Sequence, residues 1–358
     1  MDKNILKFIR KKIDKIDRRI LELLSERAKY VLKIGKYKKD TGEEFYLPYR
    51  EKKIILELMK SNKGPIPNNA IEQIYMEILH ACRSLQKTIK VAYLGPEAAF
   101  THLAAIKNFG KYAIFIPVKT ISDVFLEVEK KRCDYGVVPI ENSTEGIVNH
   151  TFDMFLESDL KICSELNLPI VHCLLSKSNK INKIKKLYSH PQALAQCRNW
   201  LETNMSNVTI IESSSTSEAA KLAAKDKTSA SISSELASEL YHLKILVKGI
   251  EDSKENYTRF LIIGENYSIQ KSGHDKTSIM ISIKDRIGAL HDILLPFKKY
   301  NVNLTKIESR PTKQKAWEYV FFIDFLGHVD DSNVKKVLKE IESACVLLKI
   351  LGSYPRAE

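Results

Sequence analysis

The chain has 358 residues, of which 44% are hydrophobic and 28% charged, a balance typical of a globular protein of two or three domains. Its formal charge is +13, and residues 1–89 alone contain 21 basic but only 12 acidic side chains. No apolar run is long enough to cross a membrane, and the N-terminus lacks the apolar core of a signal peptide. We therefore expect a cytoplasmic protein without a membrane partner.

Cysteine usage and charge limit the possible cofactors and partners. The six cysteines are scattered and include no C-x-x-C pair, which is typical of free thiols in a reducing compartment. No metal-ligand spacing occurs, so we expect no metal site. The basic excess has three explanations: a solvated lysine-rich surface, a nucleic-acid face, or a pocket for a small anion.

Residues 4–89 have a helical pattern. Between Ile5 and Ile34, apolar residues recur at three- and four-residue steps, and no Pro or Gly interrupts residues 1–34. A helix reaching Lys38 would be about 50 Å long, and it cannot bury its own apolar stripe without a partner. Two further helices are predicted at 48–61 and 68–88, separated by the loop SNKGPIPNN.

Three cations border this stripe. Arg27 and Lys38 are eleven residues apart, about three helical turns, so both should face the interior of the bundle. A buried cation is costly unless it is paired. Arg10 lies about 25 Å from Arg27 along the helix, so only two antiparallel copies of the helix would bring both to one ligand. Structural salt bridges with Asp17 or Glu51 are the alternative.

The stretches SERAKYVLKIGKYK (25–38), YRE (49–51) and ACRSLQ (81–86) resemble the all-helical class of chorismate mutase. The resemblance implies three helices in an intertwined homodimer that binds chorismate, with Arg10 supplied by the second protomer. The contacts implied for the first protomer are Arg27, Lys38, Leu47, Arg50, Glu51, Cys82 and Gln86. Guanidinium groups suit the two carboxylates of chorismate.

The rearrangement of chorismate needs a compact conformer and donors at the ether oxygen, where negative charge grows. The resemblance assigns those donors to Lys38 and Gln86, and the ring hydroxyl to Glu51. Two positions depart from the class. Leu47 replaces a residue that is often acidic, so any contact there is expected through the main chain, and Cys82 is a weaker donor than the usual serine-type residue.

Residues 90–267 alternate short apolar strands with helical patterns, which predicts an α/β architecture with a parallel sheet. Polar groups occur at predicted strand ends in GPEAAFTHLAA (95–105), VPIENSTEGIV (138–148), SHPQALAQC (189–197) and NYTRF (256–260), and at a helix start in SSSTSEAAKLAA (213–224). Each stretch alone is explained by a turn or a cap. Together they lie where open α/β sheets bind ligands and where helix N-termini bind anions.

These motifs, in this order, closely resemble prephenate dehydratase. The resemblance implies two lobes like a type 2 periplasmic binding protein, about 90–165 with 248–267 and 167–245, and prephenate in the cleft. The departing hydroxide is a poor leaving group and needs a proton or hydrogen-bond donor, a role that the resemblance gives to Thr258. The other prephenate contacts that it implies are Asn142, Ser143, Thr144, His190, Gln192 and Arg259.

Residues 277–352 show the strand and helix order βαββαβ of a ferredoxin-like unit. GALHDILLPF (288–297) and ESRP (308–311) resemble the two signature stretches of an ACT regulatory domain, which implies phenylalanine bound at a subunit boundary. The implied regulatory residues are Gly288, Ala289, Leu290, His291, Asn303, Glu308, Ser309, Arg310 and Pro311. A simple helix-entry turn at Gly288 is the alternative.

Over nearly the whole chain, the resemblances imply a bifunctional enzyme with domains at 1–89, 90–267 and 277–354. It would convert chorismate to prephenate and then to phenylpyruvate in phenylalanine biosynthesis, with L-phenylalanine as allosteric inhibitor, no metal or organic cofactor and no nucleic-acid partner. One alternative is a ligand-sensing DNA-binding regulator, although the first helix is too long for a helix-turn-helix. The other is a former enzyme kept as a phenylalanine sensor, to which Leu47 and Cys82 lend some support.

Overall fold

The computed structural model describes residues 3–267, 270–283, 286–311 and 319–357. Its N-terminal part consists of three helices, α1 (Lys3–Thr41), α2 (Pro48–Ser61) and α3 (Asn68–Gln86). Helix α1 has 39 residues and is therefore about 58 Å long. Among the described residues, no helix combines the length and the hydrophobicity that a membrane crossing requires.

Helix α1 leaves most of its apolar stripe uncovered within the single chain. Only Gly35 and Lys38 of this helix are buried, whereas Ile13, Ile16 and Ile20 are each about half exposed. Helix α3 crosses α1 at Gly35, where an added Cβ would lie 3.0 Å from Cγ of Gln86. The uncovered stripe agrees with the prediction that this helix needs a partner.

The middle of the chain forms two lobes. Lobe one contains β1 (Lys90–Leu94), α4 (Phe100–Phe109), β2 (Ile114–Val118), α5 (Ile121–Glu129), β3 (Tyr135–Asn142), β4 (Gly146–Ile147), α6 (Asn149–Glu157) and β5 (Lys161–Pro169). Lobe two contains β6 (Cys173–Ser176), β7 (Lys186–Ser189), α7 (Pro191–Gln196), α8 (Arg198–Asn204), β8 (Thr209–Glu212), α9 (Thr216–Ala223), β9 (Ser229–Ser233), α10 (Glu235–Tyr241) and β10 (Lys244–Lys248). The chain then returns to lobe one as β11 (Tyr257–Gly264).

The two-lobed architecture is confirmed, and the predicted parallel pairing occurs in both sheets together with antiparallel strands. The main path of the lobe-one sheet has the order β2-β1-β3-β11-β5, and the lobe-two sheet has the order β10-β6-β9-β7-β8. Strand β1 runs parallel to β2 and β3, whereas β11 is antiparallel to both β3 and β5. Because β11 enters from the lobe-two side, the beginning of β11, and not its end, lies beside the end of β3.

The C-terminal part has the predicted βαββαβ order. Its elements are β12 (Asp275–Ser282), α11 (Ala289–Lys299), β13 (Leu304–Pro311), β14 (Tyr319–Leu326), α12 (Ser332–Ala344) and β15 (Leu347–Pro355), in an antiparallel sheet of order β13-β14-β12-β15. One face packs on α11 and α12 around Ile323. The other face shares a core with lobe one, in which Phe322 and Leu351 join Val138 and Leu261.

This sheet and lobe one approach each other closely at Gly352. A Cβ added there would lie 2.2 Å from the carbonyl oxygen of Ile162, a backbone atom of β5 that cannot rotate away. We predict that Gly352→Ala destabilises the protein by about 1–3 kcal/mol through overpacking, seen as a lower melting temperature in calorimetry. Gly64→Ala is the control, because its Cβ would meet only Asn62 Oδ1, at 3.7 Å. Equal melting temperatures for the two variants would contradict the prediction.

Candidate active sites

The two lobes enclose a cleft with a cavity volume of about 410 Å³. Four residues predicted from the sequence line it: Asn142, His190, Gln192 and Thr258. The remaining lining residues are Leu94, Gly95, Pro96, Ala99, Phe100, Thr101, Pro139, Ile170, His172, Ala193, Gln196, Ser214, Ser215, Thr216 and Phe260. The cleft therefore brings together the starts of helices α4, α7 and α9 and the facing ends of β3 and β11.

A hydrogen bond across β3 and β11 holds the Thr258 hydroxyl. Asn142 and Thr258 are register partners, and Nδ2 of Asn142 donates to Oγ1 of Thr258 over 2.8 Å. The Asn142 amide is oriented by its oxygen, which accepts from the Thr144 N–H at 3.0 Å and the Glu145 N–H at 2.9 Å. A hydroxyl accepts and donates at once, so this contact leaves Thr258 able to donate to a ligand.

Ser143 and Thr144 support Asn142 and do not line the cavity. The Ser143 hydroxyl donates to the carbonyl of Glu255 over 2.8 Å and accepts from the N–H of Tyr257 over 2.9 Å. The Thr144 hydroxyl donates to Oδ1 of Asn142 over 2.7 Å. Both side chains therefore shape the turn that carries Asn142.

Arg259 lies on the opposite face of β11 from Thr258, and the expectation that it contacts a substrate carboxylate is corrected. Successive side chains of a strand point to opposite faces, and Arg259 is only 13% exposed beneath the C-terminal domain. Its guanidinium pairs with Glu165 and with Asp324, each at 2.7 Å. Burial alone would lower the pKa of Arg259. The negative charges of Asp324, which has the larger effect, and of Glu165 more than compensate, so the pKa of Arg259 is raised.

Sequence reasoning missed His172 and Gln196. His172 is 2% exposed, burial lowers its pKa, and its Nε2 lies 2.8 Å from Oε1 of Gln196. Gln196 in turn donates from Nε2 to Glu145 of lobe one over 3.2 Å, so it bridges the two lobes. One signal was available, because Gln196 follows Gln192 by four residues and shares its helix face.

An anion in this cleft would be bound without the help of a lysine or arginine side chain from the described lining residues. Among the described residues that line it there is no lysine or arginine. Instead, helix α9 presents its N-terminus there, with Ser215 as a cap that accepts from the N–H of Glu218 over 3.0 Å. N–H groups at helix starts, together with hydroxyls such as that of Thr216, are suited to carboxylate oxygens.

The second candidate site lies where the three N-terminal helices meet. Lys38 is buried, and its Nζ donates to the carbonyl of Glu44 over 2.8 Å. Burial lowers the pKa of Lys38, against the raising effect of nearby carboxylates including Glu51. Burial likewise raises the pKa of Glu51. Gln86 donates one N–H to the carbonyl of Val31 over 3.1 Å, so its amide is held against α1.

The other predicted residues of this site differ in exposure. Arg27 is half-buried, and its Nη1 is buried without a hydrogen-bond partner, which is rare unless a ligand completes the site. Cys82 is buried, Arg50 is exposed, and the carbonyl of Leu47 accepts the first backbone hydrogen bonds of α2. Arg10 is exposed, so the single chain does not bring it to Arg27.

Arg83 was also missed, although it lies four residues after Leu79 on the buried stripe of α3. Its Nη1 pairs with Glu51 at 2.7 Å, and its Nη2 donates to the carbonyl of Phe109 over 3.0 Å. The guanidinium also lies over the ring of Tyr46, 4.8 Å from its centroid. Arg83 therefore ties the helical site to helix α4 of lobe one.

The predicted regulatory residues are divided between two faces of the C-terminal domain. Gly288 begins α11 in the left-handed region with φ +80°, followed by buried Ala289 and by exposed Leu290 and His291. Strand β13 alternates, so Ser309 lies on the helix side, whereas Glu308 and Arg310 face lobe one. Exposed Asn303 and Pro311 lie at the two ends of β13.

Arg310 in particular is engaged within the chain. It donates to Asn149 and pairs with Asp153 at 3.1 Å, both on α6. The structure therefore does not place Arg310 beside Gly288. Strand β13 is one of the two edge strands of its sheet, and among the described residues no further strand pairs with its outer side.

Comparison with known proteins identifies all three parts of the chain. Residues 9–87 match the family model for chorismate mutase type II, residues 91–268 that for prephenate dehydratase, and residues 277–343 that for the ACT domain. A solved prephenate dehydratase from Arthrobacter aurescens in complex with L-Phe is similar with a TM-score of 0.68 and 32% identity, over 75% of this chain and 90% of that chain.

Two curated relatives, both named bifunctional chorismate mutase/prephenate dehydratase, match over nearly their full length. The protein from Aquifex aeolicus is 51% identical over 98% of each chain, and that from Pseudomonas aeruginosa is 45% identical over 99% of each chain. Such agreement decides for an enzyme and against a DNA-binding regulator. The chain therefore belongs to the family of bifunctional chorismate mutase/prephenate dehydratases and combines the two activities with an ACT domain.

Proposed function

We propose that the inter-lobe cleft converts prephenate to phenylpyruvate, with Thr258 as the donor to the departing hydroxyl. The observation that carries this assignment is the 2.8 Å hydrogen bond from Asn142, which occupies the acceptor side of the Thr258 hydroxyl. A donor is needed there because charge develops on a poor leaving group as the C–O bond breaks. His190 and Gln192 line the facing wall of the cleft and would hold the remainder of the substrate.

The lack of lysine and arginine among the described residues that line the cleft supports the same reaction. Prephenate must lose one carboxylate as CO₂, and a cation paired with that carboxylate would stabilise the ground state more than the transition state. Helix N-termini and hydroxyls bind a carboxylate with partial charges only. The cleft can therefore hold a dianion without locking the group that has to leave.

We further propose that chorismate rearranges at the helical site of a homodimer. The unpartnered Nη1 of Arg27 suits a substrate carboxylate, and Lys38 and Gln86 come from facing helices, as a pair of donors to one ether oxygen requires. Arg10 would come from the second protomer, whose own α1 would cover the exposed apolar stripe of the first. In this arrangement the Glu51 carboxylate, held by Arg83, would bind the ring hydroxyl.

Finally, we propose that L-phenylalanine inhibits dehydration by binding to the ACT domain. The solved relative in complex with L-Phe supports this proposal. In the present chain, Gly288 places an open, left-handed turn at the start of α11, where the backbone of an amino acid could approach. Ser309 on the exposed edge strand would contribute from a neighbouring subunit.

Substitution of Thr258 should separate the two activities. Thr258→Val keeps the shape but removes the hydroxyl, so we expect kcat for phenylpyruvate formation to fall by on the order of 10²- to 10³-fold, the typical effect of losing one transition-state donor. Thr258→Ser should retain most of the rate. Both variants should consume chorismate like the wild type, whereas Arg27→Ala should lose only the mutase activity. Joint loss of both activities in each variant would refute two separate sites.

Mixed dimers should show that the mutase site is shared. Arg10→Ala and Arg27→Ala are each expected to abolish chorismate turnover. In a heterodimer of the two, one site carries both substitutions and the other carries neither, so random pairing should restore about a quarter of wild-type activity. Dehydratase activity serves as the internal control. If tagged heterodimers form without any recovery, Arg10 and Arg27 do not meet across the dimer.

Added L-phenylalanine should lower the dehydratase rate of the wild type, and Gly288→Ala should weaken its binding. The new methyl group would stand where the ligand backbone approaches, and we expect a dissociation constant at least about tenfold higher by calorimetry, equivalent to ~1.4 kcal/mol. Gly273→Ala is the matched control, because Gly273 also has a positive φ of 88° and no neighbour within 4 Å. A similar loss of binding in both variants would point to backbone strain instead of a phenylalanine site.

A further inference from the structure

Four charged side chains meet at the boundary between lobe one and the ACT domain. Glu141 and Arg259 are register partners on β3 and β11, and Lys306 and Asp324 are register partners on β13 and β14. Across the boundary, Nζ of Lys306 lies 2.6 Å from Oε2 of Glu141, and Nη1 of Arg259 lies 2.7 Å from Oδ2 of Asp324. Two cross-strand pairs of opposite charge thus face each other, and we call these four side chains the ionic quartet.

The ionic quartet lies directly behind the proposed catalytic pair. Asn142 follows Glu141 in β3, Thr258 precedes Arg259 in β11, and Asn142 and Thr258 form the neighbouring rung of the same ladder. Adjacent residues of a strand point to opposite faces, so the catalytic pair faces the cleft while the ionic quartet faces the ACT domain. The register shifts immediately after Arg259, a bulge of the kind that re-aims side chains beside active sites.

Three members of the ionic quartet are largely shielded from water, and the fourth, Glu141, is 40% exposed. Lys306 is 15% exposed, Asp324 11% and Arg259 13%. Arg259 also pairs with Glu165, which is 1% exposed and bound in turn by Lys276 of β12 at 2.7 Å. Loss of one partner in such a buried network leaves an uncompensated charge, unlike the loss of an exposed surface pair.

We propose that Glu141 and Arg259 are positioning residues, through which Lys306 and Asp324 of the ACT domain hold the Asn142–Thr258 pair in its catalytic geometry. The inference rests on the proposed role of Thr258 in dehydration. A small displacement of the ACT sheet shifts the rung that carries the donor, and misplacement by about 1 Å can reduce a rate by about 10²-fold. The ionic quartet thereby supplies a direct mechanical route from the regulatory domain to the reacting hydroxyl.

The test compares Lys306→Met with Lys349→Met. Lys349 is a matched control, since it is also an ACT-domain lysine, is 17% exposed, and donates to the carbonyl of Ser158 in lobe one over 2.6 Å, outside the ionic quartet. Lys306→Met is expected to lower the kcat of dehydration by about tenfold with KM within about twofold, whereas Lys349→Met leaves kcat unchanged. Mutase turnover, measured on the same chains, should stay constant and reports that each variant is folded.

A double-mutant cycle then assigns the effect to the ion pair. Glu141→Gln removes the charge at nearly constant size and should also lower kcat, and the double variant with Lys306→Met should be no slower than the slower single variant. Lys306→Arg should restore the rate. Equal behaviour of Lys306→Met and Lys349→Met, or multiplication of the two single effects, would overturn the proposal. Should Thr258→Val retain dehydration, the proposed site itself fails, which is a separate outcome.

Discussion

The antiparallel pairing of β3 with β11 is the contact on which the dehydratase half of the molecule depends. It returns the chain from lobe two to the centre of the lobe-one sheet, and its register sets Thr258 opposite Asn142. Because side chains alternate along β11, Thr258 and Phe260 line the cleft while Arg259 and Leu261 pack under the ACT domain. A single strand thus carries the proposed catalytic hydroxyl of Thr258 on one face and the docking contacts on the other.

The two candidate sites differ in the groups that they offer to the carboxylates of a dianionic substrate, and the reaction at each site explains the difference. Chorismate keeps both carboxylates while it rearranges, so cations such as Arg27 can hold them throughout the reaction. Prephenate loses a carboxylate, and the described residues lining the cleft offer hydroxyls and helix N-termini in place of cations. Arg83 connects the two regions, since it pairs with Glu51 of the helical site and binds the carbonyl of Phe109 at the end of α4.

The ACT domain is attached to lobe one by both apolar and ionic contacts. Phe322 and Leu351 belong to the same core as Leu261, and Gly352 allows β15 to approach the backbone of β5. Strand β13 is at the edge of its sheet, and no other strand of the described residues pairs with its outer side. Docking on one face and a strand edge on the other side would allow the proposed binding of phenylalanine between subunits to affect the cleft of the same chain.

The sequence by itself determined the helices, the βαββαβ order and the motifs that approach the cleft, because local periodicity and turn chemistry encode which face of an element is buried. The 39-residue α1 and the capped start of α9 at Ser215 are examples. Only the tertiary structure decided the direction of β11 and the orientation of Arg259, whose side chain points away from the cleft. It also decided the contacts of Gln196 between the two lobes and of Arg83 between the helical site and lobe one. These features depend on partners far apart in the chain, and no local pattern specifies which strand lies beside which or on which face a given rung falls.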